Sequence, residues 1–123
     1  MSVATLTADL FEETIKAHEM VIIDFWAAWC GPCKSFAPTF DAAAERHPEV
    51  AFTKVNVDEE QELAGLFQVR SIPTIAFMRE GIVIYAHSGA LQGSELDEII
   101  GKVKALDMAQ VHADMAAQQQ AQA

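Results

Sequence analysis

An α/β fold, one mixed sheet with helices on both faces, follows from three features of the chain. Strand-like and helix-like stretches alternate through most of its length, which implies parallel strands joined by right-handed crossovers. Two further strand-like stretches, 74–78 and 82–86, are separated only by Arg79-Glu80-Gly81 and read as an antiparallel hairpin. The segment Val21-Ile22-Ile23-Asp24-Phe25-Trp26 is almost continuously apolar, as a central strand covered on both faces must be. The expected order is βαβαβα and then ββα, in one domain over residues 1–107. A chain of 123 residues, 51% of them hydrophobic, suffices for one core.

Each element has a local reason. Residues 3–6 are β-rich, and residues 9–18 combine helix formers with apolar Leu10, Phe11 and Ile15. Residues 30–46 are helical in composition and end before Pro48. Pro38 lies inside them; it removes a backbone donor and should kink the helix. Residues 50–57 alternate and are β-branched, hence a strand. Asp58 reads as an N-cap with Gln61 at the capping-box position, ahead of Leu63, Ala64, Leu66 and Phe67. Ser94 with Asp97 is an acidic variant of the same box. It opens a helix whose stripe is Leu96, Ile99, Ile100, Val103 and Leu106. Lys102 and Lys104 suit its C-terminal end, where the dipole favours cations. Residues 108–123 are rich in Ala and Gln, with no Gly or Pro to stop the preceding helix. The expectation there is a helix extension or a disordered tail. A docking contact through Met108, Val111 and Met115 is the less favoured reading.

The formal net charge is −10, which argues against nucleic acid and against anionic membrane surfaces. Residues 1–19 carry Asp9, Glu12, Glu13 and Glu19 and lack the basic-then-apolar pattern of a leader. The apolar run 20–30 is too short to span a bilayer. A monomer in the cytoplasm is expected.

The two cysteines stand in Trp29-Cys30-Gly31-Pro32-Cys33. So small a loop is a poor staple. In a reducing compartment such a pair reads as redox-active, redox-sensing or metal-binding. Zinc wants four ligands, and His18, His47, His87 and His112 show no ligand spacing, so no metal is expected. Cys30 opens a helix, where unpaired N–H groups and the dipole favour a thiolate. Gly31 leaves its sulfur open to approach, and Pro32 fits the first helical turn. Cys33 follows one turn later and deeper, so Cys30 attacks and Cys33 resolves. Asp24 shares a strand face with Ile22 and Trp26. Burial there should raise its pKa and make it a proton acceptor for Cys33. The bland alternative is a buried acid satisfied by its neighbours. Lys54, on the next strand, is placed to offset its charge. Ile72-Pro73 is a weak signal by itself, since a strand's first residue tolerates a trans proline. Trp26 reads as core, Trp29 as a shield beside the sulfurs, and the histidines as scattered surface positions.

With these pieces placed, the chain resembles the thioredoxin family over about residues 3–107. The resemblance rests on the stretch from Val21 through Asp24-Phe25-Trp26-Ala27-Ala28-Trp29-Cys30-Gly31-Pro32-Cys33 to Lys34, on Val69-Arg70-Ser71-Ile72-Pro73-Thr74, and on Ser88-Gly89-Ala90-Leu91. It implies the thioredoxin fold and reduction of disulfides in protein substrates. It implies that Pro73 is cis beside the disulfide and that the Ile72 backbone pairs with the substrate chain. Asp24 and Lys54 would match the family's buried acid and nearby lysine. Trp29, Gly31, Pro32, Ile72, Pro73 and Gly89 would form the docking face. It implies no cofactor of the chain's own, recharging instead by a thioredoxin reductase that uses NADPH through a flavin. Glu80 replaces a frequent Asn in the hairpin turn, a change expected to be harmless. An oxidase or isomerase is disfavoured by Gly31-Pro32, where a histidine is usual. A purely binding or chaperone role is disfavoured by the intact cysteines and Asp24.

Overall fold

The computed structural model describes residues 3–122. The chain runs β1 (Val3–Thr5), α1 (Ala8–Ala17), β2 (Met20–Trp26), α2 (Gly31–Arg46), β3 (Ala51–Asn56), α3 (Gln61–Leu66), β4 (Thr74–Arg79), β5 (Ile82–Ser88), α4 (Gly93–Lys104) and α5 (Met108–Gln122). Five strands form one sheet in the order β1-β3-β2-β4-β5. β3 pairs parallel with β1 and β2, whereas β4 pairs antiparallel with β2 and β5. The thioredoxin fold is therefore present as expected, with β2 at the centre of a mixed sheet.

Strand alternation divides the core in two. Ile22, Phe52, Ile75 and Phe77 face α2 and α4, meeting Phe36, Phe40, Leu96, Ile100 and Val103. Val21, Ile23, Phe25 and Val55 face the other way, toward Leu63 and the partly buried Phe11, Ile15 and Phe67. Because β2 is covered on both faces, its apolar run needs no polar alternation. Asp24 breaks that run on the α2 side. Among the described residues, no helix is long and apolar enough to cross a membrane.

Helix ends depart from expectation where a side chain has a better partner elsewhere. α3 starts after Glu60, not Asp58, and no side-chain cap closes it. Asp58 is used by Trp29 instead. α4 starts at Gly93, and the Gln92 N–H donates to Glu95 Oε1 at 2.8 Å. Asp97 is not a capping acid. It accepts from Arg46 at 3.0 Å and meets His47 Nε2 at 2.7 Å, tying α4 to the end of α2. The His47 bond, with Arg46 beside it, holds the Asp97 carboxyl below its usual range. α2 runs unbroken through Pro38.

Residues 108–122 do not continue the preceding helix. Arg79 Nη1 donates to the carbonyls of Val103, Lys104 and Leu106 at 2.9–3.0 Å, satisfying the acceptors that a helix end leaves open. Asp107 then restarts the chain, its carboxylate accepting from the Gln110 N–H. Met108 is buried, and His112 lies 2.8 Å from Glu80. Glu80 and Gly81 have φ of +52° and +78°, the paired left-handed turn that favours Asn-Gly. A glutamate there carries a steric cost of about 1 kcal/mol, so the change is not harmless. Met20 pairs with Arg79 at one end of the sheet, while the cysteines follow the other end of β2. The contact between α5 and the hairpin is thus at the far end from the cysteines.

Candidate active site

The site begins where β2 runs out. Residues 27–29 turn the chain, and Cys30 takes extended backbone (φ −88°, ψ 111°) as N-cap of α2. Its sulfur accepts from the Cys33 N–H at 3.2 Å, using one of the donors a helix start leaves unpaired. Pro32, in the first turn, sits where its missing N–H costs little. Cys30 and Cys33 form a disulfide with Cα atoms 5.3 Å apart. Both residues are buried, and with Ala27 they form a small cluster against Trp26, Val57 and Ile72.

Around the pair, the residues expected on a docking face are brought into position by separate segments. The Ile72–Pro73 bond is cis, as the resemblance implies and as strand placement alone did not require. The Ile72 carbonyl oxygen lies 3.8 Å from Cys30 Sγ. Gly89, with φ +101°, donates its N–H to the Pro73 carbonyl at 2.8 Å. That conformation suits glycine and joins the end of β5 to the proline. Gly31 and Pro32 are exposed, and Ile72 is partly buried. Trp29 is 70% exposed, yet its Nε1–H donates to Asp58 Oδ2 at 3.0 Å. The sequence reading missed Asp58 in this role, because no local pattern links two residues so far apart in the chain.

Asp24 lies on the same side of the sheet as α2, 5% exposed, and its Oδ1 has no hydrogen-bond partner among the described residues. With Cys33, Trp26, Lys34, Ala37 and Lys54 it lines a cavity of about 130 Å³, roomy enough for ordered water. Burial lifts its pKa from the usual 3.8 to about 7. Lys54 pulls the other way, and Asp41 on α2 adds to the rise. The β2–β3 register sets Asp24 directly opposite Lys54, so the expected acid–lysine neighbourhood exists. The ammonium, however, stands over the Trp26 ring, 5.5 Å from its centroid. Trp26 is therefore only partly core.

The arrangement can carry a pair of electrons as a dithiol or a disulfide, with a buried carboxyl lining the same cavity as Cys33. A cavity of about 410 Å³ is lined by Phe11, Phe67, Met78 and Val83 together with Thr74, whose hydroxyl donates to the Ser71 carbonyl. Among the described residues, no group of three or more His, Cys, Asp or Glu could hold a metal ion.

Known proteins match this chain over most of its length. The thioredoxin family model matches residues 2–104. A Streptomyces coelicolor protein, provisionally named thioredoxin 2, is 44% identical over 122 residues, 99% of this chain and 90% of that one. Thioredoxin-1 of Caenorhabditis elegans is 36% identical over 97 residues, 77% of this chain and 84% of its own. Among solved structures, the thioredoxin of Malassezia sympodialis matches with a TM-score of 0.74 at 36% identity, over 82% of this chain and 90% of that one. A poplar thioredoxin h matches with a TM-score of 0.77 at 25% identity, over 86% and 100%.

Proposed function

The chain belongs to the thioredoxin family and is a thiol–disulfide oxidoreductase, and on that premise we propose that it reduces partner proteins through Cys30 as nucleophile and Cys33 as resolving thiol. The observation that carries this division of labour is the placement of the two sulfurs. Cys30 caps α2, where the N–H of Cys33 reaches its sulfur, so negative charge is stabilised there. Cys33 lines the cavity that holds Asp24.

In the reduced protein the Cys30 thiolate attacks one sulfur of the substrate disulfide. A mixed disulfide forms, and the other substrate sulfur leaves as a thiolate that takes a proton from solvent. Cys33 must then lose its proton. Asp24 accepts it, through water in the shared cavity, because its carboxyl titrates near neutrality. The Cys33 thiolate attacks Cys30 Sγ and expels the second substrate sulfur. Two electrons have passed to the substrate, and the chain is left with the Cys30–Cys33 disulfide, the form seen in this structure.

Lys54 tempers the charge on Asp24. Trp29, Gly31, Pro32, Ile72, Pro73 and Gly89 supply the docking face, the Ile72 backbone pairing with the substrate chain beside Cys30. The disulfide is returned to the dithiol by a thioredoxin reductase, which brings the NADPH and flavin that the chain itself does not bind. Disulfide reduction belongs to a reducing compartment, so the protein acts in the cytoplasm, as a monomer.

Insulin disulfide reduction driven by dithiothreitol tests the proposal. Wild type should turn over and Cys30→Ser should not. Cys33→Ser should accumulate as a mixed disulfide with its substrates. Turnover by Cys30→Ser, or trapping by Cys30→Ser in place of Cys33→Ser, would reverse the assignment.

A further inference from the structure

We propose that Trp26 is a positioning residue whose ring holds the Lys54 ammonium off the Asp24 carboxylate, leaving that carboxylate free to collect the proton of Cys33. The inference rests on Asp24 being the acceptor described above. It starts from a contradiction in the geometry. Parallel pairing of β2 with β3 sets Asp24 and Lys54 side by side, which puts an ion pair with the carboxylate within the reach of a flexible ammonium. Instead Asp24 Oδ1 is buried without a partner among the described residues, and Lys54 Nζ lies 5.5 Å from the centre of the Trp26 ring. Asp24 and Trp26 are two residues apart on one strand and so share a face. The ring therefore stands at the next position along the surface that the lysine crosses.

The energies are well matched. A cation over an indole face is attracted by the negative face of the ring. An ammonium moving onto Asp24 gains more Coulomb energy but surrenders hydration, and the two oppose each other. A modest attraction to the ring then decides where the ammonium rests. The other groups facing Asp24 do not explain its position. Cys33 and Lys34 line the same cavity, Asp41 on α2 contributes repulsion, and the β4 partner is the apolar Ile75. The consequence for the reaction is direct. Contact with Lys54 would turn Asp24 into a permanently charged, weakly basic carboxylate. Held at the distance of the ring, the lysine limits the acid's rise without abolishing it.

The test is a carboxyl carbon-13 titration of Asp24 by NMR in the full, oxidised chain, where Cys33 does not titrate. Trp26→Leu should lower the Asp24 midpoint by about one pH unit or more, the range for a carboxylate that gains a cation at contact. Trp26→Phe, which keeps a smaller aromatic face, should fall between Trp26→Leu and wild type. Adding Trp26→Leu to Lys54→Met should produce no downward shift. An unchanged or raised midpoint in Trp26→Leu overturns the proposal. So does a drop that persists without Lys54, which would point to water entering the cavity. Should Trp26→Leu fail to fold, Trp26→Phe carries the comparison. In wild type, the ε-methylene protons of Lys54 must be displaced upfield by the ring, and finding them unshifted also overturns the proposal. The proton-acceptor reading fails on a separate observation, insulin turnover by Asp24→Asn at the wild-type rate, which leaves the titration comparison intact.

Discussion

Replacing Asp24 with Asn should stabilise the oxidised chain at pH 8 and change little at pH 4. The acid's carboxyl is lifted by burial from the usual 3.8 to about 7, against the smaller opposing pull of Lys54. An unfolded chain gives up that proton near pH 4, whereas the native chain keeps it until near pH 7. Between those values the native state binds more protons, so stability falls as pH rises. The penalty is absent below the unfolded value, accumulates through the interval and is complete above about pH 7. At about 1.4 kcal/mol per pH unit the whole interval is worth roughly 4 kcal/mol. Water in the adjoining cavity softens the cost, so a gain of about 2–4 kcal/mol is expected. Asn keeps the shape and removes the charge. Urea denaturation of the oxidised wild type and Asp24→Asn at pH 4, 6 and 8 measures the difference directly. It should grow with pH. A gain of equal size at all three values, or an Asn variant less stable at pH 8, would refute the reasoning. The same substitution should slow release of the oxidised product more than the first attack, as rapid-mixing kinetics would show.

Three other perturbations follow from the fold. Glu80→Asn relieves a left-handed glutamate and sacrifices only an exposed contact with His112; it should add about 0.5–1 kcal/mol, read as a rise in melting temperature. Arg79→Ala removes the three hydrogen bonds to the end of α4 and the pair with Glu19; it should cost about 2–3 kcal/mol, with the fastest amide exchange gained at the α4–α5 boundary, and a cost below about 0.5 kcal/mol would contradict the capping role. A chain ending at Asp107 should reduce insulin at the wild-type rate, because α5 lies at the end of the sheet away from the cysteines. It should lose about 1–2 kcal/mol of stability from the exposure left by removing buried Met108, measured by urea denaturation.

The patterns legible in the sequence were those in which each residue's environment is periodic or local. The almost continuous apolar run of β2 announced a strand covered on both faces, and the stripe from Leu96 to Val103 announced a helix lying on the sheet. The acid inside that run stood out because nothing else there is polar. The closeness of Cys30 and Cys33 at a helix start was local as well. Helix caps were misread wherever a polar side chain had a distant rival partner: Asp58 went to Trp29 and Asp97 to Arg46 and His47. The last helix was misread for the converse reason. No Gly or Pro marks the break at residues 105–107, because the stop is supplied by Arg79 from another strand.

The chain by itself thus determined the order of elements through α4, the two-sided core, the reactive pair and the presence of a buried acid in line with it. These depend on spacing along a backbone whose helical and extended periods are fixed by geometry. Only the tertiary structure decided what surrounds the sulfurs. It brought Ile72 and Pro73 to Cys30, set Lys54 across from Asp24, and moved that lysine's charge onto the Trp26 ring. Those choices are settled by packing between segments remote in sequence, where one charge has several partners within reach and a difference of about 1 kcal/mol selects among them.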